Sequence, residues 1–171
     1  MNTQDEIERC FLTTSLKWLS LIDENQYRHI HQGYPPTLQE EEGEFSRICA
    51  TSQQDGSFKY ELYIKGLSDG PKSLEDVQEI TEVEARKYFK SCIKQTLIKK
   101  LYGLPLGDDP VVEIGRFIYI CHEYSKLVIS KVRFDTIEEA QAFVPPDWIG
   151  EEITGDHKWS NFSLCINGEP K

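Results

Sequence analysis

No run of apolar residues approaches the roughly 20 needed to span a bilayer as a helix, so no membrane partner is expected. No C-x-x-C spacing occurs. The cysteines number five (Cys10, Cys49, Cys92, Cys121 and Cys165) and lie far apart, which excludes a disulfide scaffold and a zinc ribbon. Reduced thiols fit a cytoplasmic protein. The opening M-N-T-Q-D-E has neither a basic stretch nor an apolar one behind it, so no secretory signal is expected. Walker, G-x-G-x-x-G, H-E-x-x-H and G-x-S-x-G motifs are all missing. Positive charge is in deficit: 19 Lys and Arg stand against 29 Asp and Glu, a formal charge of −10. Such a surface repels nucleic-acid phosphate, so nucleic acid is not an expected partner either.

What remains is a chain of 171 residues, one domain's worth, with 39% hydrophobic and 28% charged residues, ordinary values for a globular fold. Residues 1–171 are expected to form a single domain. Two-residue alternation dominates. The clearest case is residues 58–65, where Tyr60, Leu62 and Ile64 alternate with Lys59, Glu61, Tyr63 and Lys65. Residues 4–13 place Ile7 and Phe11 on one face, with Glu6, Glu8 and Cys10 on the other. Further strands are expected at 26–33, 45–50, 76–81, 96–102, 110–120 and 126–134, with turns at 54–56, 68–71 and 107–110. Helices are expected at 81–93, where Thr81 and Glu84 form a capping box, at 136–143, and as a short piece at 15–22. The acidic run 39–44 reads as a solvated loop.

Eight or so strands with few helices imply a mainly β, α+β fold, an antiparallel sheet closed or nearly closed on itself. Several strands carry two or more ionisable groups on a single face. A sandwich with one wet face accounts for that, and so does a barrel with a polar interior.

Two segments point further. Residues 6–12, E-I-E-R-C-F-L, resemble the opening E-I-E-R-K-F-L strand of the CYTH family, the triphosphate tunnel metalloenzymes. Residues 140–161, A-Q-A-F-V-P-P-D-W-I-G-E-E-I-T-G-D-H-K-W-S-N, are similar to that family's closing signature F-x-P-P-x-W-x-G-x-E-V-T-x-D-x-R-Y-x-N. Between them, in the family's order, lie Gln32-Gly33-Tyr34, Tyr63-Ile64-Lys65-Gly66 and Glu79-Ile80. The resemblance implies an eight-stranded antiparallel tunnel barrel with flanking helices. Members include class IV adenylate cyclases, thiamine triphosphatases and inorganic triphosphatases. It further implies lumen carboxylates that hold Mg²⁺ or Mn²⁺, and lumen Lys and Arg that hold a triphosphate, a polyanion requiring fixed cations.

Carried over residue by residue, the resemblance gives Glu6, Glu8, Glu79 and Glu113 as the metal set of an active enzyme. Arg47, Lys65 and Lys158 become its triphosphate-handling groups, and Lys99 a further base. The departures are as informative. Cys10 and Cys49 replace a Lys and an Arg, while Val77, Leu101 and Gly115 replace two acids and an Arg. Lys131 and Arg133 occupy the places of an E-V-E carboxylate pair. Pointing inward, these two bases neutralise Glu6 and Glu8 and repel a dication. At ~4 Å and an effective dielectric near ~20, each unit pair is worth about 4 kcal/mol before desolvation. A one-residue slip would turn both bases outward; the spacing of Val128, Val132 and Phe134, which keeps the apolar set on one face, argues against it.

The expected function is therefore a degenerate family member, a pseudoenzyme or weakly active protein. It would bind phosphate or another anion through Arg47, Lys65, Lys99, Lys131, Arg133 and Lys158, with no cofactor. The expected partner is a phosphorylated small molecule, and a protein partner is compatible. The alternative is an active Mg²⁺- or Mn²⁺-dependent inorganic or nucleoside triphosphatase, with adenylate cyclase further off. A third reading is a sealed barrel that binds nothing. Among other candidates, Cys10 and Cys49 read as buried inert thiols rather than a soft-metal or redox pair. His29, His31, His122 and His157 have no ligand spacing and read as surface or loop residues. Asp156 and Lys158 either bind a ligand or cap a helix. Phe117 and Tyr119 read as space-filling side chains.

Overall fold

The computed structural model describes residues 7–38, 46–65, 75–107 and 110–171, with backbone alone at 37, 65, 75 and 76. Glu6, the acidic run 39–44 and the 68–71 turn lie outside these residues.

In chain order the strands are β1 (Ile7–Leu12), β2 (Arg28–Gly33), β3 (Arg47–Ser52), β4 (Phe58–Lys65), β5 (Glu75–Glu79), β6 (Thr96–Pro105), β7 (Val111–Ile120), β8 (Glu123–Tyr124) and β9 (Val128–Phe134). The α-helices are α1 (Glu82–Ser91), α2 (Ile137–Ala142) and α3 (Asn161–Asn167). Three short 3-10 turns cover Lys17–Leu21, Pro36–Leu38 and His157–Trp159. The strands form a nine-stranded sheet in the order β1-β9-β7-β6-β2-β3-β4-β5, with β8 paired to β7. The mainly β, antiparallel fold with flanking helices is as expected, although among the described residues the sheet is not closed into the barrel that the resemblance implied. Among the described residues the hydrogen-bonded order has two ends, β1 and β5, and it gains a strand because the chain turns back at Cys121 and His122. Both residues adopt positive φ, 52° and 66°. The chain makes two compact units.

The first unit comprises the described residues up to Tyr27, residues 100–117 and residues 126–156. Its core collects one parity from each strand: Phe11 from β1, Tyr102 and Leu104 from β6, Val112 and Ile114 from β7, and Val128 and Val132 from β9, with Trp18 and Trp148. Burying each such side chain contributes about 1.5–3 kcal/mol. Because side chains alternate across a strand, this core leaves Glu8, Cys10, Glu113, Lys131 and Arg133 together on the opposite face.

The closing signature segment has a structural job in this unit. It runs along the edge of β1 that β9 leaves unpaired: Leu12 N–H donates to Glu151 O at 2.8 Å, Gly150 N–H to Leu12 O at 3.0 Å and Ile153 N–H to Cys10 O at 2.8 Å. Gly150 is needed for the approach, since a Cβ there would stand 2.5 Å from Leu12 O. Arg9, on the core parity of β1, grips Glu152 with two hydrogen bonds of 2.9 and 2.7 Å. It also donates to Ala140 O and Phe143 O, both at 2.9 Å, capping the end of α2.

The second unit comprises residues 28–99, 118–125 and 157–171. Ile48 and Leu62 pack under α1 with Ala85 and Cys92. The expected capping box is present: Glu84 N–H donates to Thr81 Oγ1 at 3.3 Å, and Thr81 N–H to Glu84 Oε2 at 2.8 Å. Helix α3, capped by Ser160, was not expected from sequence. Its Asn161 donates to Gln32 Oε1 at 3.2 Å, and Gln32 in turn donates to the Tyr34 hydroxyl at 2.8 Å in a buried chain. Among the described residues no helix is long and apolar enough to cross a membrane.

Candidate functional site

In the first unit, β1, β9 and β7 lie side by side, so their polar parity forms a charged face. The register pairs Glu8 with Arg133 and Cys10 with Lys131 across β1–β9, and Glu113 with Lys131 across β7–β9. The side chains do not follow these direct pairings. The Lys131 ammonium donates diagonally to Glu8 Oε1 at 3.1 Å, and Arg133 Nη1 diagonally to Glu113 Oε1 at 2.6 Å. Two acids and two bases thus form two charge-assisted pairs. Lys131 and Arg133 lie on the β9 face opposite the core, and Arg133 meets Glu113 on β7. Glu6 lies outside the described residues.

Cys10 sits among these charges. Its thiol pKa is pushed up to about 11, chiefly by burial, with Lys131 pulling it back and Glu8 adding to the rise. A thiol in that range is neutral near pH 7, so the residue standing in place of the family's Lys carries no charge.

In the second unit, β3, β4 and β5 present another charged face. Cys49 pairs with Glu61, and Glu61 with Glu79, across successive ladders. Lys59 bridges the two carboxylates, at 2.6 Å to Glu61 and 3.9 Å to Glu79. Glu61 is 16% exposed and Glu79 72% exposed, so Glu61 is the sheltered acid. Arg47 lies with its guanidinium 4.2 Å from the centroid of the Tyr63 ring, and the Tyr63 hydroxyl donates to Glu61 Oε2 at 3.2 Å. Burial first, and Glu61 second, push the Tyr63 hydroxyl up to about 12. Burial raises the Cys49 thiol too, offset by the Thr51 hydrogen bond and by Arg47 and Lys99. Lys99 is half-buried on β6 and also lowers the otherwise strongly raised Cys165 thiol. Lys158 is exposed, its ammonium 5.8 Å from the Trp159 ring. The Lys65 backbone completes β4, and its side chain lies outside the described part.

The structure therefore divides the expected residues. Glu8, Glu113, Lys131 and Arg133 come together in the first unit; Arg47, Lys99, Glu79 and Lys158 belong to the second. Lys59, Glu61 and Tyr63 were not expected as site residues, and they form the ion pair and hydrogen bond of this second charged face. His31 is half-buried rather than on the surface, stacked on Phe89 with ring centroids 4.1 Å apart. Phe117 is buried at 1% exposure, whereas Tyr119 is 43% exposed against Tyr124 and fills no interior space.

A hard dication requires several oxygen ligands that are not already neutralised. Glu8 and Glu113 each carry a side-chain cation at hydrogen-bond distance, so this described pair, as it stands, does not fit Mg²⁺ or Mn²⁺. Among the described residues no group of three or more His, Cys, Asp or Glu converges as metal ligands.

No protein-family model matches the chain. It is 32% identical over 106 residues to the inorganic triphosphatase of Acetivibrio thermocellus, across 62% of this chain and 65% of that protein. It is 35% identical over 69 residues to the inorganic triphosphatase of Nitrosomonas europaea, across 40% of this chain and 44% of that protein. The chain thus matches less than two thirds of the length of either relative. Among solved structures, the inorganic triphosphatase NE1496 superposes with a TM-score of 0.71 at 24% identity, over 99% of this chain and 100% of the other, and shows the shared fold. A second structure, of a hypothetical protein NE1496, gives a TM-score of 0.70 at 26% identity, over 95% and 98% of the two chains. With its E-I-E-R-C-F-L opening and its closing signature, the chain resembles the CYTH, or triphosphate tunnel metalloenzyme, family, and it shares its fold with an inorganic triphosphatase.

Proposed function

We propose that this chain is a cytoplasmic pseudoenzyme of its family, which binds a phosphate-rich small anion without a divalent ion and is not an efficient metal-dependent triphosphatase. One observation carries the reading: the carboxylates of Glu8 and Glu113 are occupied by Lys131 at 3.1 Å and Arg133 at 2.6 Å. Positive charge that a metal supplies elsewhere is here covalently attached to β9. Mg²⁺ would have to displace both attached cations to reach these carboxylates. The anion-binding side chains are Lys131 and Arg133 in the first unit, with Arg47, Lys65, Lys99 and Lys158 in the second. Arg47 and Arg133 offer the forked donors suited to phosphoryl oxygens.

A second reading is favoured by the two relatives named inorganic triphosphatase. In it, Glu6, Glu8, Glu79 and Glu113 hold Mg²⁺ or Mn²⁺, and Arg47, Lys65 and Lys158 handle the triphosphate. Phosphate release from tripolyphosphate, ATP and thiamine triphosphate, with Mg²⁺ or Mn²⁺, separates the two. The expected result is no turnover above background, together with a tripolyphosphate-induced rise in melting temperature in EDTA. Robust turnover that Glu8→Gln abolishes establishes the enzyme instead. No turnover and no thermal shift with any phosphate compound leaves a chain that serves as a structural partner only.

A further inference from the structure

Resting on the anion-binding reading, we propose that Glu8 and Glu113 are specificity-determining residues: tethered internal anions that occupy Lys131 and Arg133 and yield them only to a linear polyanion. Three observations support this. Lys131 and Arg133 stand two residues apart on one strand face, about 7 Å along β9, so an extended chain of phosphoryl groups can meet both at once. A lone phosphate meets one cation while facing two carboxylates. The cations are also the more exposed partners: Lys131 is 37% exposed against 29% for Glu8, and Arg133 47% against 26% for Glu113. An arriving anion therefore reaches the bases before the acids. Ion pairs this open to water are weak enough to be parted by a ligand of higher charge. Cys10, also on this face, contributes a thiol, while Asp135 and Glu139 line the cavity beside Glu113 and Arg133 and add to the negative charge that a lone phosphate would meet.

The roles so assigned oppose those a metal enzyme would give the same residues. As metal ligands, Glu8 and Glu113 promote triphosphate binding. As internal competitors they hinder it, and removing their charge helps.

The test is calorimetric titration of tripolyphosphate, and separately of orthophosphate, in EDTA at low ionic strength. The proteins are the wild-type chain, Glu8→Gln/Glu113→Gln and the two single variants, with circular dichroism confirming the fold of each. The double variant is expected to bind tripolyphosphate about tenfold or more tighter than wild type, with each single variant between them, and the gain is expected to shrink as salt is added. Orthophosphate affinity is expected to rise in the variants as well, narrowing the preference for the polyanion. If wild type binds and the carboxamide variants bind equally or more weakly, the competitor role falls and the anion-binding reading stands. If wild type fails to bind and the double variant binds, that reading falls and the competitor role stands. If no form binds, both fall. Where the double variant does not fold, the single variants decide by the same signs.

Discussion

The Lys131 ammonium stands 3.1 Å from the Glu8 carboxylate although Cys10, not Glu8, is its partner across the ladder. Arg133, which does face Glu8 across the ladder, turns to Glu113 instead. This crossed pattern gives Glu8 and Glu113 one close base each, so neither of these two carboxylates stands without a counter-cation. Its first consequence concerns metal. Millimolar Mn²⁺ is expected to leave the wild-type melting temperature unchanged. Lys131→Glu/Arg133→Glu, which puts four acids on the face, is expected to melt below wild type in EDTA and to rise with Mn²⁺. At 100 times the dissociation constant the gain is about 2.7 kcal/mol, several degrees for a chain of this size, read by differential scanning fluorimetry. A manganese-dependent rise in the wild type contradicts the assignment.

Arg9 holds the family signature to β1 through four hydrogen bonds, and its side chain is only 20% exposed. Arg9→Ala is expected to cost about 2 kcal/mol in urea unfolding, since it strips Glu152 and two carbonyls of their donor. Arg9→Lys recovers little of this, because an ammonium cannot reproduce the fork.

Gly150→Ala tests the covered edge of β1. The new methyl meets a backbone oxygen, which cannot rotate away, so a loss of about 1–3 kcal/mol is expected, seen as a lower melting temperature. An unchanged melt shows that the segment is not held against Leu12 as described.

Stability should also depend on acid. Burial, with His29 and His122 adding to it, lowers the His31 pKa from 6.5 to about 4. The unfolded chain therefore takes the proton first. The contribution of neutral His31 is fully present above about pH 6.5 and drains away as the pH falls toward about 4. His31→Phe keeps a ring against Phe89 and removes this titration, so its denaturation midpoint is expected to fall less across that window.

Much of the fold was legible because it rests on local rules. Residues 58–65 alternate without interruption and form β4 with those bounds; Thr81 and Glu84 announce α1. Strand β8 escaped because it depends on Cys121 and His122 adopting positive φ, where glycine or asparagine is the usual sign. Helix α3 escaped because its Ser160 cap lacks an acid three residues on, and its apolar run F-S-L-C-I shows no clear helical face. The ends of the sheet were hidden for a different reason: periodicity tells which way a side chain points and says nothing of which strands become neighbours. The first unit's charged face was readable through the resemblance. The crossed pairing within it was not, because register fixes backbones and leaves long side chains free to choose a diagonal.

Arg9 and Glu8 adjoin in the chain and serve opposite sides of the same ribbon. One secures architecture, the other faces the chemistry. Mutation can therefore rewrite the charged side position by position while the scaffold on the other side persists.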